Sequence, residues 1–172
     1  ATINGSQVLE PTYGMPAVWI EPEARGITER AGLLLFDSAS VIATHLAETV
    51  RRHAADLLGR QQTQALLSGL ASTHLDLVKG CNDSLQLGEL QKVLQNLLSE
   101  SVSIVDLVTI LETLIDNVHL TKNPEMLTEL VRVALAPAIC GQYQAEDGGL
   151  TVFTLEASLE QMLEDCTIRT EQ

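Results

Sequence analysis

The segment HLAETVRRHAADLLGRQ, residues 45–61, gathers side chains that could take part in catalysis or metal binding. Its histidines, His45 and His53, are potential zinc ligands, and its carboxylates, Glu48 and Asp56, could act as a general acid and base. The two histidines are eight positions apart, which on a helix separates them by about 12 Å. One metal ion cannot bridge that distance, so we expect no metal site here.

Two adjacent arginines, Arg51 and Arg52, occupy the middle of the same segment. Glu48 lies four positions before Arg52 and Asp56 lies four after it, and this spacing favours ion pairs on the surface of one helix. A second interpretation is that one arginine crosses to a neighbouring subunit, where bidentate pairing with a carboxylate would fix the register. The sequence leaves both interpretations open.

Residues 87–100 predict an amphipathic helix with a wide band of leucine and valine. Its opposite face carries Gln91, Lys92, Gln95 and Asn96, which give it little charge although the protein is acidic. Either the band packs in a core and the amides face solvent, or the amide-rich face meets another subunit. We take Arg51, Arg52, Gln91 and Gln95 as the candidate subunit or partner contacts.

Catalytic and cofactor motifs are absent from the sequence. It contains no GxSxG, P-loop, GxGxxG or HExxH pattern. The three cysteines, Cys81, Cys140 and Cys166, are far apart and form no CxxC, which favours free thiols in a reducing compartment. We expect a protein that is not an enzyme and that uses neither a cofactor nor a metal.

The composition excludes some partners. The 172 residues are 45% hydrophobic and 3% aromatic, and their net charge is −13. An acidic surface repels the phosphate backbone of nucleic acids and anionic lipid headgroups. No apolar run is long enough to cross a bilayer, so we expect a soluble chain.

The elements that position these residues are mainly helical. Strands are expected at residues 13–20, 32–37 and 150–155, with a turn at 142–149. A helix should be capped by Asp37 or Ser38, carry one apolar stripe of Ile42, Leu46, Val50 and Leu57, and end at Gly59 as its C′ residue. Further helices are expected at 61–70 and 87–100, from Ser103, and after residue 155. Another should run from Pro124, with Asn123 as its N-cap, to a stop or bend near Pro137. Residues 72–80 should form at most a short helical turn.

Three colinear segments carry a resemblance to a known family. They read EPTYGMPAVWI, SVIATHLAETVRRHAADLLGRQQTQALL and LGELQKVLQNLLSESVSIVDLVTILETLID. Together they resemble the cytoplasmic domain of the large export-gate component of type III secretion, the FlhA/SctV (FHIPEP) family of flagella and injectisomes. The resemblance covers residues 10–133 and is looser beyond them, and the first segment favours an injectisome over a flagellum.

The resemblance implies a location and a set of partners. Members of this family have an N-terminal membrane part, which we expect to be absent here, and a cytoplasmic part at the inner membrane. That part assembles into a homo-oligomeric ring, usually ninefold, and receives chaperone–substrate complexes, the gatekeeper and other export-apparatus proteins. It is not an enzyme in this family. Nucleic acid is not expected as a partner.

The resemblance and the helical patterns together predict a mainly α fold. We expect a helical bundle-like domain, preceded by a few short strands and followed by the start of a small α/β subdomain. Residues 1–37 resemble the closing strands of a first α/β subdomain, 38–135 the helical ring-forming subdomain, and 136–172 the start of a C-terminal α/β subdomain. Both ends therefore look cut from a larger protein. The alternative, which the leucine band of residues 87–98 suggests, is a free-standing helical adaptor that binds a partner helix or peptide in a groove between its helices.

Overall fold

The computed structural model describes the backbone of residues 5–145 and 147–170, and the side chains of all these except 164 and 167–170. The protein is mainly α, as the leucine- and alanine-rich sequence predicts. Two strands, β1 and β2, and a short 3₁₀ helix, Pro22–Ala24, precede ten α-helices in the described part of the chain. The strands are β1 Ser6–Leu9 and β2 Pro16–Trp19, and the helices are α1 Arg25–Arg30, α2 Ser38–Arg52, α3 Ala54–Leu57, α4 Arg60–Ala71, α5 Leu75–Ser84, α6 Leu87–Ser99, α7 Leu107–Asn117, α8 Pro124–Ala134, α9 Ala136–Tyr143 and α10 Ala157–Thr170.

The two strands form an antiparallel hairpin in which Gln7 lies opposite Val18. The Glu10 carboxylate orders the connection by accepting hydrogen bonds from the Thr12 and Tyr13 amides at 2.7 and 2.8 Å. Gly14 has a φ of +69°, which glycine adopts without steric cost. The strand expected within residues 13–20 is thus confirmed as β2.

The strand expected at residues 32–37 is wrong. Residues 33–37 have no regular structure, and no described strand lies beside them to complete a ladder. They lead instead into the cap of α2, where the Asp37 side chain accepts a hydrogen bond from the Ser40 amide at 2.6 Å. The expected start of this helix is therefore confirmed.

The end of that helical region differs from expectation. α2 stops at Arg52, and the single turn α3 follows after His53. Gly59 has a φ of −85°, so it is not the left-handed C′ residue that was predicted. It caps the start of α4 instead, where its carbonyl accepts hydrogen bonds from the Thr63 amide and hydroxyl, both at 3.0 Å.

The core is formed by α4 to α8, with α3 packed against α6. α6 and α7 each pack against α8, and α5 packs against both α4 and α7. The fully buried apolar side chains of these helices are Leu67, Leu90, Val93, Leu94, Leu97, Ile110, Leu111, Leu114, Leu127 and Val131. The central position expected for α7 is confirmed by the complete burial of Ile110, Leu111 and Leu114.

Two helix boundaries in this core were predicted incorrectly. α5 has ten residues rather than one short turn, because it buries Val78 and Cys81 against its neighbours. α7 begins at Leu107, not at Ser103, because the Asp106 side chain caps it by accepting hydrogen bonds from the Thr109 amide and hydroxyl at 3.1 and 2.7 Å. Tertiary packing thus explains the length of α5, and the Asp106 cap explains where α7 begins.

The N-terminal third has no apolar core of its own. Among the described residues 5–57, the buried side chains are those of Thr12 and Thr28. The predicted apolar stripe is present on α2 but is not buried, since Ile42, Leu46 and Val50 are 68%, 62% and 48% exposed. The periodicity identified the helix correctly, but nothing in the described chain covers its apolar face.

Residues Leu135–Gln172 form a second compact unit. α8 ends at Ala134 and Pro137 lies in the first turn of α9, so the interruption expected near Pro137 is confirmed. The strand expected at 150–155 is wrong, since Leu150 alone pairs, with Gln144. The expected turn lies between those two residues, although Glu146 falls outside the described residues.

Within the described residues, every helix is too short or too polar to cross a bilayer.

Candidate interaction surface

Glu48 organises the two adjacent arginines on α2. Its carboxylate accepts hydrogen bonds from Arg51 at 2.6 and 2.9 Å and from Arg52 at 2.9 Å. The Glu48 side chain is only 11% exposed, whereas those of Arg51 and Arg52 are 65% and 56% exposed. The expected pairing of Glu48 with Arg52 on one helix is therefore present, and Arg51 shares the same carboxylate.

Arg52 also makes a long-range contact. Its second terminal nitrogen, Nη2, donates to the carbonyl oxygen of Thr12 at 3.1 Å. Because Thr12 lies in the hairpin connection, this bond fixes the hairpin to the C-terminal end of α2. Arg52 is therefore already used within the chain, and Arg51 is the arginine with more surface left for another molecule.

The histidines and Asp56 do not converge on a site. His53 Nδ1 lies 3.2 Å from the Asp56 carboxylate, so Asp56 pairs with His53 rather than with Arg52. No three His, Cys, Asp or Glu side chains of the described residues are placed to hold a metal ion. This segment presents charge on a helix and does not assemble ligands.

The Glu48 carboxylate is also unsuited to acid–base catalysis. Hydrogen bonds from Arg51 and then Arg52 hold the pKa of Glu48 below its ordinary value of 4.5. A general acid at neutral pH needs a carboxyl pKa that is raised instead. Glu48 therefore acts as an anionic acceptor that orders two cations.

Gln91 and Gln95 lie one turn apart on α6 and share one acceptor. Their side-chain amides donate to the carbonyl oxygen of Leu58 at 3.1 and 2.9 Å. Both side chains are half-buried. The amide-rich face of α6 thus binds the end of α3 within the same chain, and the two glutamines form a clasp on Leu58.

A further charged contact was not predicted from the sequence. Arg132 on α8 pairs with Glu129 in its own helix at 2.7 Å and also with Glu100 just beyond α6. The three-residue spacing of Glu129 and Arg132 is the sequence signal from which the local pair could have been predicted. Nothing in the sequence indicated Glu100, because that partner depends on how α6 and α8 pack.

The sequence matches the model of the FHIPEP family over residues 1–172. Among curated relatives, the flagellar biosynthesis protein FlhA of Bacillus subtilis is 39% identical over 170 residues, which covers 98% of this chain and 25% of that protein. FlhA of Treponema pallidum is 41% identical over 165 residues, covering 95% of this chain and 23% of that protein. The chain therefore spans about a quarter of the length of these relatives.

Solved structures share the fold. The complex of Chlamydia pneumoniae CdsV with CdsO matches with a TM-score of 0.79 and 28% identity, covering 87% of this chain and 44% of that chain. Nonameric EPEC SctV-C matches with a TM-score of 0.65 and 28% identity, covering 84% and 44%.

The two relatives named above are flagellar proteins and the two structures are not named as such, so the preference for an injectisome stays a prediction. The agreement over the whole sequence, and over most of the fold, is sufficient to assign the family. This chain belongs to the FHIPEP family.

Proposed function

We propose that this chain is part of the cytoplasmic portion of a type III export gate at the bacterial inner membrane. In this role it contributes to a homo-oligomeric ring, which we expect to be ninefold in the complete protein. The ring receives chaperone-bound substrates, the gatekeeper and other export-apparatus proteins and helps to order their delivery. The role is non-enzymatic and needs no cofactor.

The observation that carries the proposal is the likeness to nonameric SctV-C, at a TM-score of 0.65 over 84% of this chain. A complex of the related CdsV with CdsO supports contact with further proteins. The net charge of −13 fits protein partners with basic or mixed surfaces better than nucleic acid.

Arg51 is the better of the two arginine candidates for a contact between subunits. It is 65% exposed, and Glu48 holds its guanidinium in one orientation through two hydrogen bonds. A pre-oriented guanidinium loses less entropy when it pairs with a carboxylate on another subunit. Arg52, in contrast, holds the hairpin connection through Thr12.

Gln91 and Gln95 support assembly indirectly in this proposal. Their amides are committed to the Leu58 carbonyl, so they fix α3, and the helix that precedes it, on the helical core. A direct contact of either glutamine with a neighbouring subunit would have to use the remaining amide hydrogen or the amide oxygen.

Burial of the leucine band of α6 argues against the adaptor alternative. It relied on the leucine band of α6 as a surface for a partner helix, but Leu90, Val93, Leu94 and Leu97 are fully buried in the core. A partner could reach this band only after the domain had opened.

The experiment is light scattering of this chain over a wide range of concentration, with negative-stain images of the most concentrated sample. We expect the mass to rise with concentration and ring-shaped particles to form. Arg51→Ala should shift the rise in mass to higher concentration without changing the unfolding midpoint, because the Arg51 side chain is exposed and Glu48 keeps its ion pair with Arg52.

Arg25→Ala is the matched control, since Arg25 is 73% exposed and pairs with Glu29 on its own helix. It should assemble like the unmodified chain. Equal assembly of Arg51→Ala and Arg25→Ala would remove Arg51 from the interface. A chain that stays monomeric at every concentration would count against self-assembly through these residues.

A further inference from the structure

The helix α8 has one buried side and one exposed apolar side. It packs against α6 and α7 through a side that includes the fully buried Leu127 and Val131. On the opposite side, Met126, Leu130 and Val133 are 57%, 36% and 73% exposed. Because these three residues follow one another at intervals of four and three positions, they form one stripe about 10 Å long on the helix surface. We call this surface the α8 stripe.

The α8 stripe differs from apolar side chains that are scattered singly over a surface, which are common and need no explanation. Its spacing is the one with which a helix presents apolar anchors to another helix. The connection from α7 enlarges it, since the Thr121 hydroxyl donates to the Met126 sulfur at 3.8 Å and the adjoining Leu120 is 70% exposed. The flexible side chain of Met126 can also adapt to the shape of a partner.

Acidic side chains accompany the α8 stripe. Glu125 and Glu129 are exposed on α8 itself, and α7, which packs against α8, exposes Glu112 and Asp116. Among the described residues, no cation forms an ion pair with Glu112, Asp116 or Glu125. These three carboxylates are therefore available to cations of another molecule.

Local cations do not neutralise this surface. Residues 107–134 hold four carboxylates and two cations, Lys122 and Arg132. Arg132 is already taken up by Glu129 and Glu100, and Lys122 makes no ion pair within the part of the chain that the structure describes. A partner with basic residues beside its apolar anchors would be attracted here, whereas an acidic one would be repelled.

We propose that the α8 stripe is a docking site for an amphipathic helix of another protein, whose apolar face is flanked by lysine or arginine. The apolar face packs on Met126, Leu130 and Val133, and the flanking cations pair with the carboxylates of α7 and α8. A stripe of two helical turns buries less area than a stable interface needs, so the contact is transient. The site lies apart from Arg51 on α2, and the inference does not depend on ring assembly.

The charges favour a different protein over a second copy of this chain. A second copy would have to supply a helix with an apolar face and free cations. The helix α2 has an exposed apolar stripe and two arginines, but Glu48 already holds both Arg51 and Arg52. A partner that is basic overall would also be drawn to this chain by its net charge of −13.

The test uses two synthetic helical peptides of about 18 residues, a length at which an isolated helix can form. The first carries leucines along one face and lysines on both flanks, and the second has glutamate at every lysine position. Each is titrated into this chain, which carries a fluorophore on its N-terminal amine and is kept at about 0.1 μM to suppress self-association. Microscale thermophoresis measures the binding. We expect the lysine peptide to bind with a Kd of about 10–100 μM and the glutamate peptide at least about tenfold more weakly.

A double variant, Met126→Gln with Val133→Gln, removes most of the α8 stripe and leaves its charges unchanged. It should bind the lysine peptide at least about fivefold more weakly and keep the unfolding midpoint, because both side chains are exposed and glutamine favours helix. Leu75→Gln on α5 is the matched control, since Leu75 is 52% exposed, and it should bind like the parent. Equal binding of the lysine peptide to the parent and the double variant would overturn the proposal. Equal binding of the two peptides to the parent would overturn it too.

A second copy as the occupant is distinguished by light scattering of the parent and the double variant over the same range of concentration. A rise in mass that the parent shows and the double variant lacks would assign the α8 stripe to a contact between copies and would overturn the proposal. The same mass curve for both proteins, together with weaker peptide binding by the double variant, supports it. Because the peptide titration uses dilute chain, failure of the proposed ring leaves its result interpretable.

Discussion

The side-chain amide of Gln95 donates to the carbonyl oxygen of Leu58 across 2.9 Å, joining residues that are 37 positions apart. Gln91 donates to the same oxygen at 3.1 Å. Leu58 lies between α3 and α4, where its carbonyl would otherwise be one of the unpaired groups at a helix end. Because the clasp pairs this carbonyl, the break between α3 and α4 can be buried against α6.

Removing the clasp should destabilise the core in a non-additive way. Either Gln91→Ala or Gln95→Ala leaves one donor on the Leu58 carbonyl, and we expect a loss of about 0.5–1 kcal/mol. The double variant leaves that carbonyl without a protein donor and should lose about 1–3 kcal/mol. Urea denaturation measures the free energy of unfolding. Lys92→Ala, exposed on the same helix, should stay within about 0.5 kcal/mol of the parent.

The buried leucines of α6 and α7 should dominate stability. Leu94 and Leu111 are both 0% exposed, so Leu94→Ala and Leu111→Ala should each lower the free energy of unfolding by about 2–5 kcal/mol. Leu46→Ala in this chain should cost less than about 1 kcal/mol, because Leu46 is 62% exposed. A similar loss at all three positions, measured by denaturation, would contradict the assignment of Leu46 to an open surface.

The Asp106 cap should make the stability of α7 depend on pH. Hydrogen bonds from the Thr109 side chain and then its amide lower the pKa of Asp106 from its ordinary value of 3.8. The folded state thus favours the ionised form of Asp106. The contribution of this carboxylate to the free energy of unfolding is complete above pH 3.8 and is lost as the pH falls through the lower folded-state pKa.

We therefore expect Asp106→Ala to lower the free energy of unfolding by about 1 kcal/mol at pH 7. The difference in the free energy of unfolding between Asp106→Ala and the parent should shrink as the pH falls below 3.8. Glu112→Ala, exposed on the same helix, is the control and should change little. A cost of Asp106→Ala that is constant at all pH values would show that the ionised cap is not responsible.

The three thiols should react at very different rates. Cys140 and Cys166 are exposed and Cys81 is buried, and burial raises the pKa of the Cys81 thiol to about 11. At pH 8 almost none of Cys81 is thiolate, so a disulfide reagent should modify Cys140 and Cys166 first. Cys81 should react only as the core unfolds in denaturant. Rapid modification of Cys81 in the native protein would contradict its burial.

Periodicity identified the long helices because their leucines recur on one face. α4, α6 and α8 were predicted within a few residues, and Asp37 and Asn123 were recognised as caps, with the Asn123 side chain accepting from the Glu125 amide at 2.8 Å. α5 was missed because its segment contains few leucines and one central glycine. Gly80 lies where α5 crosses Ile115 of α7, and that contact depends on the packing of two helices.

The candidate surface was predicted only in part. The Glu48–Arg52 pair follows from helical spacing, but the bond from Arg52 to Thr12 spans 40 positions. The partner of Gln91 and Gln95 is a main-chain carbonyl, and no residue type in the sequence marks such an acceptor. Contacts of this kind depend on tertiary placement, which periodicity along one helix does not contain.

The packing order of the core has a consequence for how quickly it folds. Within α4 to α8, the main contacts join helices that are neighbours along the chain or that are separated by one other helix. Domains dominated by such local contacts close short loops and fold within microseconds to milliseconds, whereas ribosomes add only about 5–20 residues per second. Residues 60–134 should thus be folded as soon as they leave the ribosome, and α3 can then pack on α6.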